Sequence, residues 1–127
     1  MSEMKKVMIV DDDPSIVDSL SAFLKGSYEI ETACNGREGL ERIRAAKPDI
    51  IILDLLMPEK DGFDVCKTLK SDEELKQIPV ITLSSFTELY DMRFGAEDTK
   101  RALPTDIYLS KPFDPATLLR EIKALLG

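Results

Sequence analysis

Five residues of this chain could do chemistry together: Asp11, Asp12, Asp54, Ser84 and Lys111. Each stands at or just beyond the end of a short apolar run. Asp11 and Asp12 follow VMIV (Val7 to Val10), and Asp54 follows IIIL (Ile50 to Leu53). Ser84-Ser85 follow VITL (Val80 to Leu83), and Ser110-Lys111-Pro112 follow IYL (Ile107 to Leu109). Three carboxylates in one pocket lose hydration and raise the cost of ionising one another, so they are tolerable only with a cation among them. A hard, oxygen-seeking divalent ion fits, and Mg2+ typically takes one or two carboxylates while keeping waters and phosphate oxygens. A hydroxyl and a lysine on the same rim make the set suited to phosphoryl transfer. The cations neutralise phosphate oxygens, and a carboxylate serves as in-line nucleophile. No Gly-rich phosphate loop is present, so the phosphoryl group is not expected to arrive held as a nucleotide.

What else the chain could do is narrowed by composition. It has 127 residues, 43% of them hydrophobic, enough for one domain (1–127) with a real core and too few for two. There is no histidine, which excludes Ser-His, Cys-His and His-metal chemistry. The net charge of -7 and the absence of a basic patch argue against direct nucleic-acid binding. The opening MSEMKK meets only four apolar residues before Asp11, too few for a signal-peptide core or a membrane span, and a cytoplasmic protein is expected. Cys34 and Cys66 lack metal or redox spacing and are expected to be two buried, reduced thiols.

The elements that must position these residues can be read from the pattern. Continuous apolar runs mark strands covered on both faces, whereas YEIETA (Tyr28 to Ala33) alternates and suits an edge strand. Helices fall between the runs. The first opens with Asp13 as N-cap and Pro14 at its first position, and carries Ile16, Leu20, Phe23 and Leu24 on one side. The second follows Asn35-Gly36 with Leu40 and Ile43, and the third follows Asp61-Gly62 with Phe63, Cys66 and Leu69. The last repeats the Asp-Pro cap at Asp114-Pro115 and shows Leu118, Ile122 and Leu125. Strand and helix alternate five times, which means a doubly wound α/β fold, a three-layer sandwich with right-handed crossovers. Its five-stranded parallel sheet is expected in the flavodoxin-like order 2-1-3-4-5, one of the two common orders of such folds. In that order, strands one and three flank the point where strand order reverses, where such sheets bind ligands. Asp11, Asp12 and Asp54 would meet there.

The segment Phe86 to Leu103 is less regular. Leu89, Met92, Ala96 and Leu103 share one side of a long helix, whereas Phe86, Tyr90 and Phe94 form a stripe about a third of a turn away. Either the helix breaks at Gly95, a residue costing about 1 kcal/mol relative to alanine within a helix, and the aromatics finish in the core, or they form an exposed patch for a partner or a second copy.

With these residues in order, the sequence resembles the receiver domain of bacterial two-component response regulators over essentially its whole length. The landmarks are VDDDPSI (Val10 to Ile16), ACNGREGL (Ala33 to Leu40), DIIILDLLMPEKDGF (Asp49 to Phe63), PVITLSS (Pro79 to Ser85) and YLSKPF (Tyr108 to Phe113). The resemblance implies that Asp54 is phosphorylated by a sensor histidine kinase or phosphotransfer protein. Asp11 and Asp12 would hold Mg2+ together with Asp54 and the backbone carbonyl of Leu56, and Lys111 would contact the phosphoryl group. It also implies that Ser84 is the switch hydroxyl with the small Ser85 beside it, that Tyr108 follows the switch, and that the Lys111-Pro112 bond is cis. Signalling would pass to a downstream protein, or to a second copy, through the face of the fourth helix, fifth strand and last helix. The protein would act as a switch, catalysing only its own phosphorylation and dephosphorylation. Either a stand-alone regulator or one piece of a longer one fits the length. Pro104-Thr105 departs from the family's usual Gly-Ala before the fifth strand, and the Ser84 to Lys111 spacing is long, which implies a lengthened or broken fourth helix.

Plainer readings and rival functions fit the same residues less well. A solvated acidic turn accounts for Asp13 and leaves Asp11 and Asp12 unexplained. Ser84 or Ser85 could cap the next helix, and Lys111 could be a surface lysine before a turn-forming proline. An aspartyl phosphatase would want a second carboxylate two residues after Asp54, where Leu56 stands. A flavin module would want a hydroxyl- and Gly-rich loop where three carboxylates stand, and a receiver that docks without phosphorylation would not need every site residue present.

Overall fold

The structure is a computed structural model that describes residues 4–54, 62–85, 107–111 and 114–126. For Phe63, Ser84, Ser85, Tyr108, Ser110 and Lys111 the backbone alone is described. Five parallel strands form one sheet: β1 (Lys6–Val10), β2 (Glu29–Ala33), β3 (Ile50–Asp54), β4 (Val80–Ser85) and β5 (Ile107–Lys111). Their order is β2-β1-β3-β4-β5, the flavodoxin-like order expected for the sheet. Between them run α1 (Pro14–Leu24), α2 (Gly36–Ala46) and α3 (Gly62–Ser71), and the C-terminal helix (Pro115–Leu126) follows β5. Among the described residues, no helix is long and apolar enough to cross a membrane.

Each apolar run is continuous because both sheet faces are covered. Odd and even positions along a strand point to opposite faces, so the sheet has two cores. Met8, Val10, Ile51, Leu53 and Val80 pack with Leu40 and Ile43 of α2 and Val65, Cys66 and Leu69 of α3. On the other face Val7, Ile9, Ile50, Ile52, Ile81 and Leu83 pack with Leu20 and Leu24 of α1 and Leu118 and Ile122 of the C-terminal helix. β2 is an edge strand, and of its five residues Ala33 alone is buried.

The caps form as their chemistry dictates. Asp13 has extended backbone and its side chain accepts the Ser15 N–H at 2.9 Å, with Pro14 opening the helix. The C-terminal helix repeats this device, since Asp114 accepts the Ala116 N–H at 3.0 Å. α2 ends on Lys47, a non-glycine residue in the left-handed region (φ 47°) whose N–H donates to the Ile43 carbonyl, and Pro48 follows.

Two expectations fail locally. Phe23 does not join the face of α1 that Leu20 and Leu24 bury; it is 45% exposed, while Ile16 is partly buried. Helical spacing places Phe23 one residue from Leu24 and therefore about 100° around the helix, and Leu24 takes the place on the sheet. Cys34 is exposed, not buried, because it lies just past the end of the edge strand, whereas Cys66 sits in the core beneath α3. Val65, Leu75 and Ile78 are core residues that the pattern did not single out.

Candidate acidic metal and phosphoryl site

β1 and β3 are register neighbours, with Val10 paired to Leu53, so the residues that follow them emerge side by side at the carboxyl edge of the sheet. Asp11, Asp12 and Asp54 converge there, each offering a carboxylate oxygen within 4.8 Å of the other two. Asp11 and Asp54 are buried, at 1% and 4% exposure, and Asp12 is exposed. The pocket is therefore acidic with one open side.

Local geometry holds Asp11 in place. Its N–H donates to the Ala33 carbonyl at 3.1 Å, continuing the β1–β2 ladder by one step. Its Oδ1 accepts the Asp13 N–H at 2.9 Å, so Asp11 folds the turn that presents Asp12 and Asp13. The sequence did not reveal this second role, although an Asp two residues before a capping Asp is the signature of such a side-chain turn. The three adjacent carboxylates thus divide their work: Asp11 inward, Asp12 toward solvent beside Asp11 and Asp54, and Asp13 onto the helix.

The donor set fits a hard divalent cation. Oxygen ligands alone are offered, two of them on buried residues whose mutual repulsion a cation would relieve, and an open side leaves room for water or phosphate oxygens. Ser84 and Ser85 lie at the end of β4, paired in register with Ser110 and Lys111 of β5, so the strand positions expected for the hydroxyl and the lysine lie at this same edge. Tyr108 pairs with Thr82 within the ladder. Leu56, Phe86, Tyr90, Phe94, Gly95 and the Lys111-Pro112 bond lie outside the described residues.

Beside the acidic centre, toward β2, is a recess of about 300 Å³ whose walls include Asp12, Val17, Asp18, Cys34, Glu38 and Arg42. Its far wall is a closed capping arrangement. Asn35 accepts the Glu38 N–H at 2.8 Å, Glu38 accepts the Cys34 N–H at 2.8 Å, and Arg42 reaches Glu38 at 3.3 Å. The Cys34 N–H, helped by Arg42, holds the Glu38 carboxyl below the usual glutamate range. α2 lies close to β1: a Cβ placed on Gly39 would meet the Val10 methyl carbons at 2.9 and 3.1 Å.

A five-stranded parallel sheet of this order with three carboxylates at its switch point defines a class of signalling domain. The chain belongs to the response regulator receiver domain family, whose sequence pattern matches residues 7–123. It is 37% identical over 124 residues to the DNA-binding dual master transcriptional regulator RpaA of Synechocystis, covering 97% of this chain and 49% of that protein. It is also 37% identical over 123 residues to the alkaline phosphatase synthesis transcriptional regulatory protein PhoP of Bacillus subtilis, covering 96% and 48%. The chain therefore spans about half the length of the curated relatives it matches. Among solved structures it superposes on the chemotaxis response regulator CheY4 of Vibrio cholerae with a TM-score of 0.84 at 34% identity, covering 98% of this chain and 100% of that one. The signal receiver domain of a signal transduction histidine kinase from Syntrophus aciditrophicus gives 0.85 at 32%, covering 96% and 89%.

Proposed function

We propose that this chain, as one domain over residues 1–127, is a phosphoacceptor switch in which Asp54 takes a phosphoryl group in a Mg2+-dependent reaction. One observation carries the reading. Three carboxylates from two strands meet within 4.8 Å, two of them on buried residues, at the edge where β4 and β5 also end. Asp11, Asp12, Asp54 and the Leu56 backbone carbonyl would hold the ion, which when bound supplies positive charge against phosphoryl oxygens. A carboxylate oxygen of Asp54 attacks phosphorus as the bond from phosphorus to the leaving group breaks, and the electron pair departs with that group. Lys111 offers an ammonium to the transferred phosphoryl oxygens. Ser84 gains a strong new acceptor, because a phosphoryl group brings about -1.5 to -2 charge. Its movement, with Ser85 small beside it and Tyr108 following, conveys the change to the outer face.

The donor is a sensor histidine kinase or phosphotransfer protein in the cytoplasm. The output passes to a protein target or a second copy through β5, the C-terminal helix and the segment with Phe86, Tyr90 and Phe94. The RpaA match is a DNA-binding regulator by name, but this segment, with a net charge of -7, contacts no nucleic acid and no membrane in this reading. It turns over no external substrate.

The test is incubation with acetyl phosphate and Mg2+ followed by intact mass. One added phosphoryl group is expected, with acetate released. The adduct should be absent from Asp54→Ala and when the metal is chelated; an adduct that persists in Asp54→Ala refutes the assignment.

A further inference from the structure

Asp11, Asp54 and Thr82 are the buried polar residues among those described. The two aspartates belong to the acidic centre. Thr82 does not: it is 1% exposed within β4, and its Oγ1 donates to the carbonyl of Ile107 in β5 at 3.3 Å. Valine has nearly the same shape and would fill the site without bringing in a polar group, so the hydroxyl here acts through that bond.

The placement of the bond gives it a consequence. Thr82 pairs with Tyr108, two rungs before Ser84 pairs with Ser110 and three before Ser85 pairs with Lys111. It therefore ties β4 to β5 just ahead of the point where both strands deliver their end residues. Asp54 pairs with Leu83, so β4 is the strand that separates the acceptor from Lys111. A change in the spacing or register of β4 and β5 moves Lys111 relative to Asp54. Asp11 and Asp12, which follow β1, and Asp54, which ends β3, are left where they are.

We propose that Thr82 is a positioning residue for phosphoryl transfer, pinning β5 to β4 so that Lys111 stands at the correct distance from Asp54. The proposal rests on Asp54 being the phosphoacceptor and adds a residue that touches neither phosphoryl group nor metal. Placement of a reacting partner by fractions of an ångström is reflected directly in rate, whereas metal affinity depends on oxygen ligands to which neither Thr82 nor Lys111 belongs.

The test compares the full chain with Thr82→Val and Thr82→Ser. Three quantities are measured: the rate of phosphorylation by acetyl phosphate at saturating Mg2+, Mg2+ affinity from metal-dependent thermal stabilisation, and the melting temperature without metal. Thr82→Val is expected to slow phosphorylation by about tenfold with Mg2+ affinity unchanged, and Thr82→Ser, which keeps the donor, to restore the rate. A wild-type rate in Thr82→Val overturns the proposal. So does a loss of rate and metal affinity in step with melting temperature that serine fails to rescue, since that is the mark of packing alone. Unmodified wild-type protein would instead refute the acceptor reading on which the proposal stands.

Discussion

Two neighbouring strand-to-helix turns at the same edge of the sheet, Asp11 to Pro14 and Cys34 to Glu38, start from similar materials and end with opposite roles. Both follow a strand, both place an Asx residue at the helix N-cap, and both carry further carboxylate at hand. In the second turn the amide and the carboxylate side chains are used locally: Asn35 takes the Glu38 N–H, and Glu38 takes the Cys34 N–H and meets Arg42. In the first, capping is confined to Asp13, and Pro14 removes one N–H that would otherwise need a partner. Asp12 and Asp11, the latter also accepting the Asp13 N–H, converge with Asp54. Carboxylates at a helix entry mark a candidate ligand site when they converge with a carboxylate from another strand instead of closing on their own turn.

The largest expected effect breaks the first turn's surplus. Asp12→Ala should abolish Mg2+-dependent phosphorylation and Mg2+-dependent thermal stabilisation while leaving a folded protein, because Asp12 is exposed and carries no cap. The mass assay and a melting curve with and without metal decide it. Glu38→Ala in the second turn should leave the phosphoryl adduct intact. If both variants lose the adduct, the distinction between the turns is wrong.

Next in size is the contact that locks the second turn's helix against the first turn's strand. A Cβ at Gly39 would stand 2.9 Å from a Val10 methyl, with backbone on its own side and a β-branched side chain on the other. Gly39→Ala should therefore destabilise by about 1–3 kcal/mol, as overpacking does, despite alanine being the better helix former. Chemical denaturation measures it. An unchanged or raised midpoint would mean that Val10 gives way freely.

Smaller and nearly equal effects are expected when each cap is removed. Asp13→Ala and Asn35→Ala should each lower stability by about 0.5–2 kcal/mol, with phosphorylation retained in both. Asp13→Ala carries the sharper risk, since the Asp13 N–H also donates to Asp11, and that bond survives because it is a backbone group. A lost adduct in Asp13→Ala with normal folding would show that the cap and the metal site are not separable.

Much of this was legible before the structure. Continuous apolar runs ending in Asp, Ser and Lys give the parallel sheet, and with the strand order usual for such a fold they give the convergence of Asp11, Asp12 and Asp54, because strand ends in a doubly wound fold share one edge. What stayed illegible depended on relations that periodicity does not carry. Phe23 and Leu24 are adjacent apolar residues, and only the docking angle of α1 decides which of them the sheet covers. Cys34 follows an edge strand and faces outward, a consequence of one-sided cover. The turn from Asp11 to the Asp13 N–H and the bond from Thr82 to Ile107 are single hydrogen bonds, one local and one between strands distant in sequence.

The smallest expected effect is the second turn's response to acid. The Cys34 N–H and Arg42 hold the Glu38 carboxyl below the usual glutamate range in the folded chain. A depressed folded value means that the ionised form is the one the fold favours. The resulting stabilisation is full above the ordinary glutamate range and is lost as pH falls through the lowered value. Glu38 is more than a third exposed on its side chain, so solvent screens the contact. Glu38→Gln keeps an oxygen acceptor for the Cys34 N–H and removes the charge. Its melting temperature should lie below wild type by roughly 1 °C near neutral pH and converge with it at acid pH, when Glu38 is protonated as well. A gap that stays constant from neutral to acid pH would assign the effect to side-chain shape, and the second turn would then owe its closure to hydrogen bonding without help from charge.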